Sequence, residues 1–294
     1  MRFETNLGSE ACLMGLIKSI NLKRPPDTLA ARGWFPGLIR KLLVATLPPG
    51  ATINVPAFEQ VGRPGFDGTV ESKVKAEFVP KGLSVWEVGT NEDQAAKANA
   101  DYKKRTSETK ASERRKTTYV CVSSQEWQNK GDWVAERKKE NKWKNVVALD
   151  CNDVEQWTHR HPHVDLWLAD LLRLPCRGLI DLNRRWDELS SVGKHALSTD
   201  VFLVGRDQAM HAIQEFLDAE PSAVLLKCAS VQDGSDFLAA IHAAANEDNS
   251  LQRMIVVNDH SIWQEISASP SPTCLVIPSH VELSPEEVSR ATQS

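Results

Sequence analysis

The sequence predicts an α/β protein in two parts, a mixed central sheet flanked by helices followed by a partial parallel-sheet α/β module. Three observations lead there. Short apolar runs bounded by Gly and Pro alternate with amphipathic stretches through the first half. Three of those runs follow one another with only turns between them, which makes them antiparallel neighbours. From about residue 200, single strands and single helices alternate, the pattern of βαβ units.

Residues 32–47, RGWFPGLIRKLLVATL, set Leu38, Ile39, Leu42, Leu43 and Leu47 at helical spacing, with Arg40 and Lys41 off that face. Pro48-Pro49-Gly50 stops this helix. Strands are expected at 52–58, 68–74 and 83–88, then a polar helix over about 91–107. The buried strand TYVCVS at 118–123, a charged helix over 125–141, a strand at 146–150 and a helix over 152–173 complete the first half. Residues 176–199 read as a polar connector. The second half runs strand 201–204, helix 206–218, strand 223–228, helix 232–245, strand 254–257, helix 260–266 and strand 273–277. The expected organisation is therefore a first domain over 1–175, the connector, and a second module over 200–294. TCLVIP would leave that module with an apolar edge, so the sequence reads as the front part of a longer protein.

Hydrophobic residues make up 41% of the 294 and charged residues 25%, a globular composition. No apolar run approaches the ~18 residues of a membrane helix, and MRFETNLGSE carries no signal-peptide stretch. The expectation is a soluble cytoplasmic protein with no membrane partner. Six cysteines (Cys12, Cys121, Cys151, Cys176, Cys228, Cys274) stand singly, without CxxC or a close Cys/His pair, so a structural zinc site is not indicated and reduced thiols are expected.

The net charge of −4 hides an asymmetry. Residues 200–294 carry four basic side chains against fourteen acidic ones, whereas Lys97 to Lys144 alone holds fourteen basic against seven acidic. Such a basic segment suggests a polyanion partner for the first half, or a solvated helix surface.

The chemistry concentrates in two stretches. GRPGFDG (62–68) puts Asp67 at a turn entering a strand, and LSVWEVGT (83–90) puts Glu87 inside a strand-forming run. Two carboxylates on adjacent strands can converge on one divalent cation, and Mg²⁺ takes one or two carboxylates plus waters. A cation so held acidifies a water and neutralises phosphate charge. The plainer alternatives are a turn aspartate and an edge-strand glutamate.

Asp67, then Glu87 after Val85-Trp86, then a basic helix, resembles the PD-(D/E)XK restriction-endonuclease-like superfamily. GFDG, WEVGT and KANADYKKRT resemble its Mrr-like nuclease domains at the front of large bacterial antiphage proteins. The resemblance covers about residues 30–170. It implies a restriction-endonuclease-like sheet and Mg²⁺ or Mn²⁺ held by Asp67, Glu87 and the Val88 carbonyl. Glu10 of the first helix is a further candidate. The family lysine, two residues after the second acid, is replaced by Gly89, and Lys97 on the next helix is the expected substitute. Lys103, Lys104 and Arg105 would meet DNA backbone; Lys97 and Asp101 could equally form a surface ion pair.

The implied function is a metal-dependent DNA endonuclease, the effector of a regulated antiphage defence protein, acting as a homo-oligomer under a phage-derived trigger. The rival is a catalytically decayed nuclease fold serving as a nucleic-acid-binding or oligomerisation scaffold, which Gly89 favours. Other signals are weaker. His159, His161 and His163 lack an HExxH partner set and read as an exposed helix end. Trp127, Trp133, Trp143, Trp157 and Trp167 read as core. FLVGRDQAMHAIQEFL (202–217) resembles the entry to NTPase-like sensor modules, but ASVQDGSDFL after AVLLKC lacks a P-loop, so no ATP binding is expected there.

Overall fold

A computed structural model describes residues 15–23, 33–56, 65–191, 193, 196–219, 223–245, 250–267, 273–278 and 280–291. The first half holds helices α1 (Ser19–Lys23) and α2 (Trp34–Thr46), then strands β1 (Thr52–Asn54), β2 (Gly68–Ser72) and β3 (Gly82–Gly89). Next come α3 (Gln94–Glu108), α4 (Ala111–Arg114), β4 (Thr118–Ser123), α5 (Lys130–Lys139), β5 (Asn145–Leu149), α6 (Cys151–His159) and α7 (Pro162–Leu171).

These strands form one five-stranded sheet in sequence order, β1-β2-β3-β4-β5. β1–β2 and β2–β3 are antiparallel, and β3–β4 and β4–β5 parallel. The mixed sheet thus matches the order expected of short turns first and helical crossovers later. The fully buried run of β4 serves both faces. Val120 and Val122 join Trp86 and the apolar face of α2 in one core, with α6 and α7. Tyr119 and Cys121 join Val85, Ala98 and Tyr102 of α3 and Trp133 of α5 in the other. Trp127, Trp133, Trp143 and Trp157 are buried in these cores, as expected.

The single helix expected over 152–173 is instead two. α6 begins with a reciprocal Asp150–Asp153 capping box and ends at His159, and Pro162, which has no N–H to continue a helix, takes the first turn of α7. The histidines at this break are not an exposed helix end. His159 and His161 are buried; His159 Nε2 meets the Ile17 carbonyl at 2.6 Å and His161 Nε2 meets Thr46 Oγ1 at 2.9 Å.

The second half comprises β6 (Leu179–Ile180), α8 (Leu182–Ser190), α9 (Asp200–Leu203), α10 (Asp207–Asp218), α11 (Val231–Ala244), β7 (Met254–Val257), α12 (His260–Ser267), β8 (Cys274–Val276) and α13 (Pro285–Ala291). Its sheet has the order β6-β7-β8, with β6 antiparallel and β8 parallel to β7. Three expectations change here. Residues 176–199, read as a connector, supply β6 and α8. The expected strand 201–204 is helical, because Leu203 turns into the cluster around α11 while Val201 and Val204 face out. The expected strand 223–228 has no regular structure, with Val224 and Leu225 exposed and, among the described residues, no strand paired with it. The sheet is consequently mixed rather than parallel.

The halves share a core cluster in which Leu166 of α7 packs with Leu179, Ile255, Val257, Ile262 and Trp263. No helix among the described residues is long and apolar enough to cross a membrane.

Candidate active site

β3 carries the site because its residues alternate between the two cores. Trp86 points to the α2 side, so Val85 and Glu87 point to the α3 side. The antiparallel register places Gly68 opposite Trp86, which brings Asp67, one residue before β2, alongside Glu87 and Val88. Gly68 itself allows the approach of β1: a Cβ there would lie 2.6 Å from Val55 Cγ2.

Asp67 Oδ2 accepts the Val88 N–H at 2.9 Å. On the other edge of β3, the Gly89 carbonyl accepts the Ser124 N–H at 3.1 Å. Successive strand residues direct their backbone groups to opposite sides. The Val88 carbonyl therefore faces the Asp67 side, beyond the end of β2. Two carboxylates and one backbone carbonyl at one strand end form an oxygen donor set suited to Mg²⁺ or Mn²⁺. Among the described residues no group of three or more His, Cys, Asp or Glu side chains is placed to hold a metal ion. Glu10 lies outside the described residues.

Glu87 is 4% exposed. Its Oε1 accepts the Arg105 Nε–H at 2.5 Å. Burial pushes the carboxyl up to about 7, outweighing the Arg105 bond that pulls it down, while the charges of Asp67 and Asp101 push it up further. Arg105 also reaches Glu108 Oε2 at 3.1 Å and stacks 5.3 Å from the centre of the Phe66 ring. The expectation that Arg105 faces DNA with Lys103 and Lys104 therefore changes: Arg105 turns inward onto Glu87, and Lys103 and Lys104 remain exposed.

Lys97 sits in the second turn of α3. Its Nζ donates to Asp101 Oδ1 at 2.9 Å. That bond raises its pKa, with the charges of Asp101, Glu87 and Asp67 acting the same way. Lys97 is thus within electrostatic reach of both expected metal ligands. Gly89 faces the start of α3, where a Cβ would stand 3.8 Å from Gln94 Oε1. Gln94 is buried, its Nε2 lies 3.5 Å from Cys121 Sγ, and its Oε1 has no hydrogen-bond partner.

Gln94 was not singled out by the sequence. A signal was present: Gln94, Lys97, Asp101 and Arg105 recur every three or four residues and interleave with the buried Ala98 and Tyr102. A polar stripe beside the core-facing stripe of a helix marks a face turned toward a polar site. Comparison with protein-family models, curated proteins and solved structures returns no match.

Proposed function

We propose that the first half is a metal-dependent DNA endonuclease with a restriction-endonuclease-like fold, the effector of a regulated bacterial antiphage defence protein. The convergence of Asp67, Glu87 and Lys97 at the end of β3 carries this reading. The mixed five-stranded sheet, with both acids on its antiparallel part and the basic helix directly after, supports it.

A divalent cation held by Asp67, Glu87 and the Val88 carbonyl would supply an acidified water and neutralise charge on the scissile phosphate. The chain's own groups do the rest. Lys97 stays protonated at neutral pH and offsets negative charge developing on the oxygens of the attacked phosphate. Asp101 fixes the ammonium in place. The unpartnered Gln94 Oε1 would accept a hydrogen bond from a water at the strand end, without taking its proton. Lys103 and Lys104, on the outer face of α3, contact backbone phosphates without reading sequence.

A sequence-tolerant nuclease must be restrained in its own cell. The acidic second half is the part proposed to do this, through homo-oligomerisation set by a phage-derived trigger. The test incubates the 294-residue chain with plasmid and linear DNA in Mg²⁺, Mn²⁺ or EDTA. Cation-dependent nicking lost in Asp67→Ala supports the reading; cleavage in EDTA contradicts it.

One observation favours a second reading. Arg105 already supplies a cation to Glu87, so the acid is partly neutralised without metal. A nuclease fold that had lost its chemistry and kept DNA binding would hold Glu87 in this way. Binding of DNA with unchanged affinity in EDTA, without cleavage in any cation, would support that alternative.

A further inference from the structure

The end of the first sheet opposite Asp67 and Glu87 is rimmed with cations. The strand register fixes their positions. Ser72 pairs with Gly82, Ser84 with Thr118, and Thr118 with Asn145. Lys73 therefore leaves the end of β2, Lys81 enters β3, Lys116 stands two residues before β4, and Lys144 stands one before β5. These four lie at the ends of adjacent strands, about 4.8 Å apart, in a row of about 14 Å. β3 is eight residues long, so the row stands about 25 Å from the candidate site. α3 joins the two places. It starts with Gln94 beside Gly89, and its Thr106 Oγ1 accepts the Trp143 Nε1–H at 3.0 Å, next to Lys144.

Local bonds hold the row together. The Lys144 N–H donates to the Arg114 and Thr117 carbonyls at 2.9 and 3.2 Å, and Arg114 Nη1 donates to the Lys142 carbonyl at 3.2 Å. The turn before β4 is thus tied to the start of β5, which sets Arg115 and Lys116 beside Lys144. A Cβ on Gly82 would lie 3.4 Å from Lys144 Nζ. That ammonium therefore sits over the start of β3, next to Lys81.

The charge at this end is not compensated locally. Lys73, Lys75, Lys81, Arg115, Lys116 and Lys144 are all exposed. Glu77 pairs with Arg160, and Glu140 pairs with Arg137 and Lys142. Among the described residues none of the six exposed cations is in an ion pair. Glu71 and Glu113 are the other exposed acids of these segments, two against six. Like charges gathered in this way repel one another, and a multivalent anion laid across them relieves the repulsion.

Shape and surface select among polyanions. A row of about 14 Å spans the ~12 Å major groove of B-DNA, so its ends can meet the phosphates of both strands. Lysines neutralise phosphates as point charges without reading bases. Phe78 and Trp143, the aromatic residues of these segments, are buried. They leave no ring on which single-stranded bases would stack. Val74 and Leu83 are exposed, but two side chains offer too little apolar area to hold a bilayer.

We propose that this lysine row is a second anchor for double-stranded DNA, gripping the backbone at the far end of the sheet from Asp67 and Glu87. Lys103 and Lys104 of α3 contact the same duplex between the two ends. The choice of DNA as the duplex rests on the nuclease reading of the first half. The row itself rests on the register and on the absence of ion pairs among the described residues.

Fluorescence anisotropy in EDTA would measure binding of a labelled DNA duplex of about three helical turns to the 294-residue chain. The comparison is a fourfold variant carrying Lys73→Gln, Lys81→Gln, Lys116→Gln and Lys144→Gln. At ~100 mM salt the variant should bind at least tenfold more weakly, and its salt slope should fall by about 3–4, since each neutralised phosphate contributes about 0.9. A twofold variant, Lys81→Gln with Lys144→Gln, should lose part of that affinity, and Lys227→Gln in the second half none. Melting close to that of the wild type checks that the variants fold. These measurements need no cleavage. A chain that binds DNA through the row and never cuts it would sink the nuclease reading and support the anchor. A chain that cuts DNA yet binds it equally with and without the four lysines would overturn the anchor alone. Tighter binding of the matching RNA duplex would also overturn the proposal. So would affinity for phosphatidylserine vesicles that the fourfold variant loses while its DNA affinity stays unchanged.

Discussion

Arg105 donates its Nε–H to the Glu87 carboxylate at 2.5 Å, so a helix that faces solvent with its lysines reaches back to neutralise the acid at the centre of the sheet. Removing one member of a buried pair leaves the other uncompensated, at a cost of about 3–5 kcal/mol. Arg105→Ala should therefore melt well below the wild type in EDTA. If Glu87 is a metal ligand, Mn²⁺ should restore much of that loss, because the cation replaces the guanidinium. Melting of Arg105→Ala that is indifferent to Mn²⁺ would speak against a metal at Glu87.

The roles of the α3 lysines separate experimentally. Lys97→Ala should lower cleavage by orders of magnitude with DNA affinity nearly unchanged, whereas Lys104→Ala should weaken binding and reduce its salt dependence. Gly89 offers a further test. A side chain there meets nothing closer than Gln94 Oε1, so Gly89→Lys should fold and recover part of the activity lost in Lys97→Ala. Loss of affinity alone in Lys97→Ala would place that lysine on the DNA backbone instead.

Acid stability should report the buried imidazoles. Burial, reinforced by the Arg253 and Arg160 charges, lowers His161 to about 4. Because the folded value lies below the unfolded one near 6.5, the native chain binds fewer protons there. The stability this contributes is present above pH 6.5 and lost as pH falls toward 4, on the order of 3 kcal/mol for a shift of this size. His161→Gln keeps a donor toward Thr46 without a titrating ring. Chemical denaturation at pH 7 and pH 4.5 should show a smaller drop for the variant; an equal drop would mean that other groups govern acid unfolding.

Gly68→Ala should be destabilising although Gly68 lies in a strand, where alanine is ordinarily no worse. The new methyl would meet Val55 Cγ2 at 2.6 Å and the Asn54 carbonyl at 3.3 Å. Overpacking of this kind costs about 1–3 kcal/mol. Relief by moving β1 would also shift Asp67, so activity should fall more than the melting temperature suggests. A variant as stable and active as the wild type would show that β1 yields without disturbing the site.

Much of the first half was legible because its signals were local. The stop at Pro48-Pro49, the apolar stripe of α2 and the buried run of β4 each act within a few residues, and their elements appear within two or three positions of expectation. The placement of Asp67 just before β2 and of Glu87 inside β3 was legible for the same reason: acids at a glycine turn and within a strand stand out against their neighbours. The direction of Arg105 was less plain. Lys103, Lys104 and Arg105 are adjacent in sequence, and only the stripe that Arg105 shares with Gln94, Lys97 and Asp101 sets it apart from the two exposed lysines. In the second half, 201–204 and 223–228 have strand composition, but a strand requires a partner edge that local sequence does not provide. Residues 176–199 looked polar because β6 is two residues long and gains its place by pairing with a strand some 75 positions later.

Leu166 has consequences for how the chain is made. Its neighbours Ile255, Val257, Ile262 and Trp263 emerge from the ribosome about 90–100 residues after it. At about 5–20 residues per second, that face of α7 stands uncovered for roughly 5–20 seconds, long after the first sheet has all its strands. The nascent first half can close over β3 while still presenting Leu166 to solvent, a natural place for a chaperone to hold it until β7 and α12 arrive.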